Sequence, residues 1–285
     1  MRNSLMEEQD RLFDMIFDKD LDGATCLLKR HPSLAKAMHH SLMLPPLDMA
    51  AQNDAGDLAE LLIEYGADPD CTSFGGETAL HKAALNGSIN VCKVLVRNGV
   101  NIDAVNAKTI SALDYSVFSD ADGAVECAKI LREAGAKESV LSAIYSCDDR
   151  LLSRLVTMPE SLSHREVHVT RSIPELVWSW EREADEIEGM NFTRRETTKK
   201  VLDRHINVLP LLLSNGADIN AYGVIMDYPA VFVALNGARG GGVFLEALMS
   251  FGASPFVTNN IGETAIEHAM ATRNHDAVRI LTSPS

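Results

Sequence analysis

The sequence is poor in the features that mark membrane-spanning, secreted and nucleic-acid-binding proteins. It contains no run of 18 apolar residues, and its first residues lack the apolar stretch of a secretory signal. Basic residues are scarce, with 26 Lys and Arg against 40 Asp and Glu, so the formal net charge is −14. Such a surface repels phosphate backbones. We therefore expect a partner protein with a neutral or basic surface, no nucleic acid and no membrane span.

Cysteine is also rare, and its pattern argues against disulfides and zinc. The five cysteines are an odd number and lie far apart, without a C-x-x-C pair or a histidine at ligand spacing. We interpret them as reduced thiols, with Cys92 and Cys127 buried in apolar helical stretches. The lack of a secretory signal and of a membrane span predicts a cytoplasmic protein, made in that cytosol or delivered into a host cytosol.

Motifs of catalysis and of cofactor binding are missing as well. The sequence has no G-x-S-x-G, no phosphate-binding Walker loop and no kinase motif set. We expect no cofactor, no metal and no catalytic residue. Since 46% of the residues are hydrophobic, the chain can nevertheless bury a continuous core.

What the sequence does contain is self-similarity, the mark of a repeat architecture. The segments 61–70, 95–104 and 212–221 resemble one another, each with a glycine after a leucine-rich stretch, and weaker copies end at Gly135 and Gly252. Gly66 and Gly99 are 33 residues apart, whereas Gly99 and Gly135 are 36 apart. We predict helix pairs that end in left-handed glycines.

A second signature precedes these glycines and is clearest at Gly76-Glu77-Thr78-Ala79-Leu80-His81-Lys82-Ala83-Ala84-Leu85-Asn86-Gly87, with an echo at 262–269. Thr78 can cap a helix, His81 can bond to the neighbouring repeat, and the alanines allow close helix packing. This segment resembles the ankyrin-repeat pattern G-x-T-P-L-H-x-A-A-x-x-G. The resemblance implies an all-α solenoid with short β-hairpin fingers, here with about seven to eight repeats, several of them degenerate.

The repeat pattern predicts one solenoid over residues 1–285. We divide it into an N-terminal array (1–137), a degenerate repeat with a helical insertion at 163–200 (together 138–207), and a C-terminal array (208–285). The segment that begins at Val140 has the outline of the first helix pair of the chain, which indicates a second array start. Hairpin fingers are expected around 68–77 and 101–111, and the spacing leaves no room for one between Gly135 and Val140. Three repeats depart from T-P-L-H, with Pro45-Pro46-Leu47-Asp48, Ser111-Ala112-Leu113-Asp114 and Tyr228-Pro229-Ala230-Val231.

The insertion holds both tryptophans. Ser172 followed by Glu175 reads as a capping box that opens a helix. An apolar stripe follows at helical spacing, formed by Ile173, Val177, Trp180, Ala184 and Ile187. We interpret the insertion as an extra helix packed on the solenoid, with Trp180 in the core and Trp178 at the margin of the stripe, where it could anchor a partner.

The family resemblance implies a protein-interaction scaffold or adaptor that binds through finger tips and through the concave side of the first helices. Carried over position by position, it indicates Phe74 and Lys108 on fingers, Lys82 and Asn86 on a first helix, and Tyr222 and Met226 on a later finger, beside Trp178 of the insertion.

Two alternatives stay open. One is a bacterial effector or immunity protein that acts on a host protein or a toxin. The other is an enzyme with a cleft at the insertion near His164, Glu166 and His168. The order of the two histidines is not H-E-x-x-H and no third ligand is evident, which argues against zinc.

Overall fold

The computed structural model describes residues 2–157, 168–169, 171–177, 179, 205–225, 227–236 and 241–283. The chain forms two compact units, Met1–Glu138 (unit 1) and Ser139–Ser285 (unit 2). The boundary lies beside Val140, where the sequence indicates a second array start. The assignment of one solenoid, divided at 137 and 207, stays a prediction. Trp178, Trp180 and Met226 lie outside the described residues, as does most of the insertion.

Unit 1 consists of helix pairs joined by short turns. The helices are α1 (Arg2–Phe17), α2 (Leu21–Arg30), α3 (Pro46–Gln52), α4 (Gly56–Glu64), α5 (Ala79–Asn86), α6 (Ile89–Arg97), α7 (Ala112–Phe118) and α8 (Ala124–Glu133), with a 3₁₀ turn at Pro32–Lys36. The first helices α3, α5 and α7 pack in a row, and the second helices α4, α6 and α8 form a parallel row behind them. This two-layer stack of helix pairs is the predicted all-α architecture.

Apolar periodicity explains which helix faces are buried in unit 1. On α6, Val91, Val94 and Leu95 fall on one stripe, and all three are buried. On α5, Ala83 and Ala84 are completely buried, so this helix can lie close to both neighbouring first helices. Cys92 and Cys127 are buried free thiols, as predicted.

The repeat-ending glycines act as predicted. Gly66, Gly99, Gly135, Gly216 and Gly252 all have positive φ, between 75° and 96°. A residue with a side chain is strained in this left-handed region, and glycine is not. Each glycine therefore ends a second helix, and all except Gly135 direct the chain into a finger.

The fingers are short turns closed by single antiparallel bridges, which pair Thr72 with Thr78 and Val105 with Ser111 in unit 1. Between Gly135 and Val140 the chain runs without turn or bridge into the next helix, as the spacing predicts. A recurring hydrogen bond ties the start of a finger to the segment that follows the next second helix. The side-chain oxygens of Asp70, Asp103 and Asn220 accept the backbone N–H of Asn101, Lys137 and Ser254, over 2.8, 2.9 and 2.8 Å.

Unit 2 repeats the outline of helix pairs. Its helices are α9 (Val140–Tyr145), α10 (Asp149–Thr157), α11 (Ala230–Asn236), α12 (Gly241–Ser250), α13 (Ala265–Ala271) and α14 (His275–Thr282), and residues 172–177 and 205–214 are also helical. Bridges pair Tyr222 with Pro229 and Thr258 with Thr264. No helix among the described residues of either unit is long and apolar enough to cross a bilayer.

Candidate functional site

The most exposed aromatic side chain of unit 1 lies at a finger tip. Phe74 is 94% exposed on finger 2 (68–77). The backbone beneath it is fixed, because the N–H of Ala107 on finger 3 (101–111) donates to the carbonyl of Gly75 over 2.8 Å. A rigidly held apolar side chain in water loses little conformational entropy when a partner covers it.

The other finger tips of unit 1 extend this surface. Leu42 and Met43 are 55% and 59% exposed on finger 1 (39–45), and Lys108 is exposed on finger 3. We call the three fingers with helices α3, α5 and α7 the finger face of unit 1. It brings together four of the predicted residues, namely Phe74, Lys82, Asn86 and Lys108. It combines apolar tips with charged groups on the helices beside them.

The predicted residues on α5 are less free than those on the fingers. Lys82 forms an ion pair with Glu77, and the two side chains are 20% and 16% exposed. Asn86 is exposed, but its side-chain amide donates to the carbonyl of Lys82 over 2.8 Å. In unit 2, the hydroxyl of Tyr222 donates to the carbonyl of Thr258 over 2.6 Å and so joins two fingers.

The sequence did not reveal a half-buried polar network under finger 2. The hydroxyl of Tyr115 donates to Oε1 of Glu77 over 2.6 Å, and the amide of Asn106 donates to that hydroxyl over 3.1 Å. Burial raises the pKa of Glu77, but the bonds from Lys82 and Tyr115 outweigh it and leave the pKa below its usual value. Glu77 is therefore ionised at neutral pH.

Histidine 81 forms the predicted bond between repeats. Its Nδ1 accepts the backbone N–H of Thr78 over 3.1 Å, so its Nε2 carries the proton and donates to the carbonyl of Ile110 over 3.0 Å. Burial lowers the pKa of His81, which keeps the ring neutral. The ring fixes α5 to the base of finger 3.

Asp48 occupies the position of His81 in the preceding repeat, but it lacks the donors that His81 has. It is 1% exposed, and neither of its carboxylate oxygens has a hydrogen-bond partner among the described residues. The N-cap of α3 is Pro45, which has neither an N–H nor a hydroxyl to offer. Two repeats after Asp48, Ser111 supplies both groups to Asp114, over 2.9 and 2.8 Å.

The surroundings of Asp48 change its acidity. Burial raises its pKa from 3.8 to about 6, while the Ser73 hydroxyl and the charge of Lys82 oppose this shift and the charge of Glu77 adds to it. The Ser73 hydroxyl acts on Asp48 without forming a hydrogen bond of normal geometry to its carboxylate. The Ser73 hydroxyl itself donates to the carbonyl of Glu77 over 3.2 Å. The departure from T-P-L-H at Pro45 was the sequence signal for this site.

One cluster in unit 1 has the residue types of a metal site. Asp10, His39 and His40 bring a ligand atom each to within 4.8 Å of one another. However, Nδ1 of His39 accepts the backbone N–H groups of Ser41 and Leu42, over 3.3 and 3.1 Å. Its Nε2 must then carry the proton that it directs at Asp10, 3.0 Å away, and a protonated nitrogen cannot bind a metal. The donor set therefore fits an anchor for finger 1 better than a metal centre.

In unit 2, described residues of the insertion hold a finger. Arg171 donates to the carbonyls of Tyr222 and Gly223, the first over 2.7 Å, and the completely buried Glu175 accepts the N–H of Ile225 over 2.8 Å.

This arrangement corrects the interpretation of Ser172 and Glu175 as a capping box. The Ser172 hydroxyl donates to the carbonyl of Val169 over 2.8 Å, and Glu175 bonds to Tyr145 and to the finger. The predicted helix is present at 172–177, with Ile173 and Val177 buried as expected. His168 is buried as well, whereas His164 and Glu166 of the alternative enzyme cleft lie outside the described residues.

Paired helices, left-handed glycines and hydrogen-bonded fingers together define a repeat protein of the ankyrin type. Residues 47–140 match the family model of ankyrin repeats in three copies. This part of the chain therefore consists of ankyrin repeats, which are protein-interaction modules.

Relatives include proteins of several kinds. The chain is 31% identical over 122 residues to the probable E3 ubiquitin-protein ligase XBOS33 of Oryza sativa. The matched segment covers 43% of this chain and 23% of that protein. It is 24% identical over 235 residues to the human ankyrin repeat and SOCS box protein 16, covering 79% and 47%. It is 44% identical over 50 residues to the zebrafish protein fem-1 homolog A, covering 18% and 8%. The chain thus spans less than half the length of each.

Proposed function

We propose that the chain is a protein-interaction scaffold that binds a partner protein through the finger face of unit 1. The observation that carries this proposal is the 94% exposed side chain of Phe74 on a finger whose backbone is bonded to the next finger. An exposed aromatic residue on a rigid support is typical of a binding hot spot. The net charge of −14 favours a partner with a neutral or basic surface over nucleic acid.

We also propose that the chain itself is not an enzyme and that it works in a cytosol. Ankyrin repeats are typically non-catalytic, although some relatives are named as ligases or as a palmitoyltransferase. In the open cleft beside α4 and α6 in unit 1, two sets of polar groups are already paired with one another. Asp54 accepts the N–H groups of Asn90 and Val91, and Arg97 pairs with Glu60. The relatives named here are plant, animal and fungal proteins, which does not favour the bacterial alternative.

The test uses the variant Phe74→Ala beside the matched control Phe17→Ala, which removes a 65% exposed phenylalanine at the end of α1. Partners captured from cytosolic extracts by the wild-type chain are identified by mass spectrometry, and one of them is purified. We expect Phe74→Ala to weaken its binding by about 2 kcal/mol with an unchanged melting temperature, since Phe74 buries almost nothing in the free protein.

Phe17→Ala should bind that partner as the wild type does. Equal affinity of all three proteins would exclude finger 2 as part of the binding surface.

A further inference from the structure

Glu77 and Lys82 form an ion pair under finger 2, and the charges of both act on the buried Asp48, so that the charges of the three side chains do not balance. Helix α3 supplies Asp48, finger 2 supplies Glu77, and α5 supplies Lys82, whose charge acts on both carboxylates. Of the other titratable groups facing Asp48 or Glu77 from these elements, burial raises the pKa of the Cys71 thiol and lowers that of His81, so both are neutral. Among the described residues, the cluster therefore holds two carboxylates and one ammonium group.

The negative charge that lacks a compensating positive charge is that of Asp48. Glu77 accepts bonds from Tyr115 and Lys82, whereas both oxygens of Asp48 are without a partner among the described residues and the side chain is 1% exposed. A buried carboxylate without donors is costly, so the site is completed either by a proton or by a cation. Proline at position 45 removes the local donors that could have completed it.

The cluster can be reached from the surface that carries Phe74. The side chains of Glu77 and Lys82 are partly exposed, and finger 2 carries Glu77 three residues after Phe74. A cationic side chain that bonds to the exposed edge of Glu77 would release Lys82 from that carboxylate. Lys82, whose charge already acts on Asp48, could then neutralise it in place of the proton.

We propose that the cluster of Asp48, Glu77 and Lys82 is a subsite for one lysine or arginine side chain of the partner protein, next to the apolar contact at Phe74. This inference rests on the proposed function, because it specifies the chemistry of a partner on the same face. When the cation binds at Glu77, Lys82 turns to the carboxylate of Asp48, which below about pH 6 must first lose its proton to solvent. Binding is therefore weaker in acid, where the proton competes.

Short random peptides displayed on phage test this inference, selected in parallel on the full-length wild-type chain, Glu77→Gln, Asp48→Asn and Phe74→Ala. Glu133→Gln is the matched control, because it removes an exposed carboxylate from the second helix α8. Peptides selected on the wild type should carry a lysine or arginine beside an apolar residue. The best peptide is then synthesised with its basic residue intact or replaced by a neutral isostere, citrulline for arginine or norleucine for lysine.

Affinities of the two peptides are compared by fluorescence anisotropy. The neutral replacement should weaken binding about tenfold on the wild type and on Glu133→Gln, but less than about threefold on Glu77→Gln. Binding of the basic peptide to the wild type should be roughly fivefold weaker at about pH 5 than at about pH 7.5, and Asp48→Asn should abolish most of this difference.

The outcomes separate this inference from the proposed function. Peptides that require Phe74 but show no preference for a basic residue would overturn the subsite and leave the scaffold standing. A basic preference of equal strength on wild type, Glu77→Gln and Asp48→Asn would also overturn the subsite. Failure to select any peptide on the wild type would count against both.

Discussion

At the scale of single residues, Asp48 shows how one substitution in a repeat pattern changes the chemistry of a position. Every other described N-cap of a first helix in unit 1 carries a hydroxyl group, namely Thr78 on α5 and Ser111 on α7. Pro45 is a good residue for beginning a helix, since its fixed φ suits this position, but it cannot donate a hydrogen bond to the third helical residue. The buried carboxyl of Asp48 is the consequence.

This burial predicts a pH-dependent stability that Asp48→Asn should remove. The folded-state pKa of Asp48, about 6, lies above its ordinary value of 3.8, so the folded protein binds more protons between these values. Asp48 therefore costs stability progressively as the pH rises through this window, and the full cost is about 3 kcal/mol above it. Asp48→Asn should be more stable than the wild type by up to about this amount near pH 7.5 and nearly equal to it near pH 4.

Urea denaturation across this pH range, followed by circular dichroism, measures the difference. The same stability difference at every pH would contradict this prediction, because it would mean that another group compensates the charge of Asp48.

Local patterns at the residue scale could be read from the sequence. The roles of Thr78 and His81 follow from the spacing of their own repeat, and Gly99 is left-handed because it directly follows a second helix. The state of Asp48 could not be read in this way. It depends on Glu77 and Lys82, which belong to the next repeat and come close only after the repeats have stacked.

At the scale of elements, the second helices supply much of the core, and Leu95 on α6 is completely buried. Leu95→Ala should reduce the free energy of unfolding by about 2 to 5 kcal/mol, because packed neighbouring repeats cannot close the cavity. Val125→Ala on α8 is the control, since Val125 is 81% exposed and should change stability little. Thermal and urea unfolding measure both, and an unchanged melting curve of Leu95→Ala would show that α6 does not pack in this register.

For the fingers, the sequence predicts the positions but not all of the contacts that hold them. Their positions follow from the glycine spacing, and the bridges at Thr72 and Val105 lie where the spacing places them. The anchoring of the unit 2 finger was not predictable, because Arg171 and Glu175 are about 50 residues away from it in the chain. The sequence indicated a cap for Glu175 and no role for Arg171, whereas the fold uses both side chains to hold backbone groups.

At the scale of the whole molecule, the acidic surface and the exposed finger tips act at different distances. A net charge of −14 attracts basic partners over roughly the Debye length, about 8 to 10 Å at physiological salt. The finger tips and the cluster at Asp48 act at contact and decide which partner stays bound. Each repeat contacts its neighbours, so the fingers of unit 1 form one surface although each is only a short turn.

The central claim, that unit 1 holds a partner protein on its finger face, is tested most directly by hydrogen exchange with mass spectrometry on the free chain and on the chain with a purified captured partner. The account predicts that the partner slows amide exchange in fingers 2 and 3, around 72–78 and 105–111, and leaves exchange on the outer helices α4, α6 and α8 unchanged. Protection confined to these outer helices, with exchange in the fingers unchanged, would contradict it.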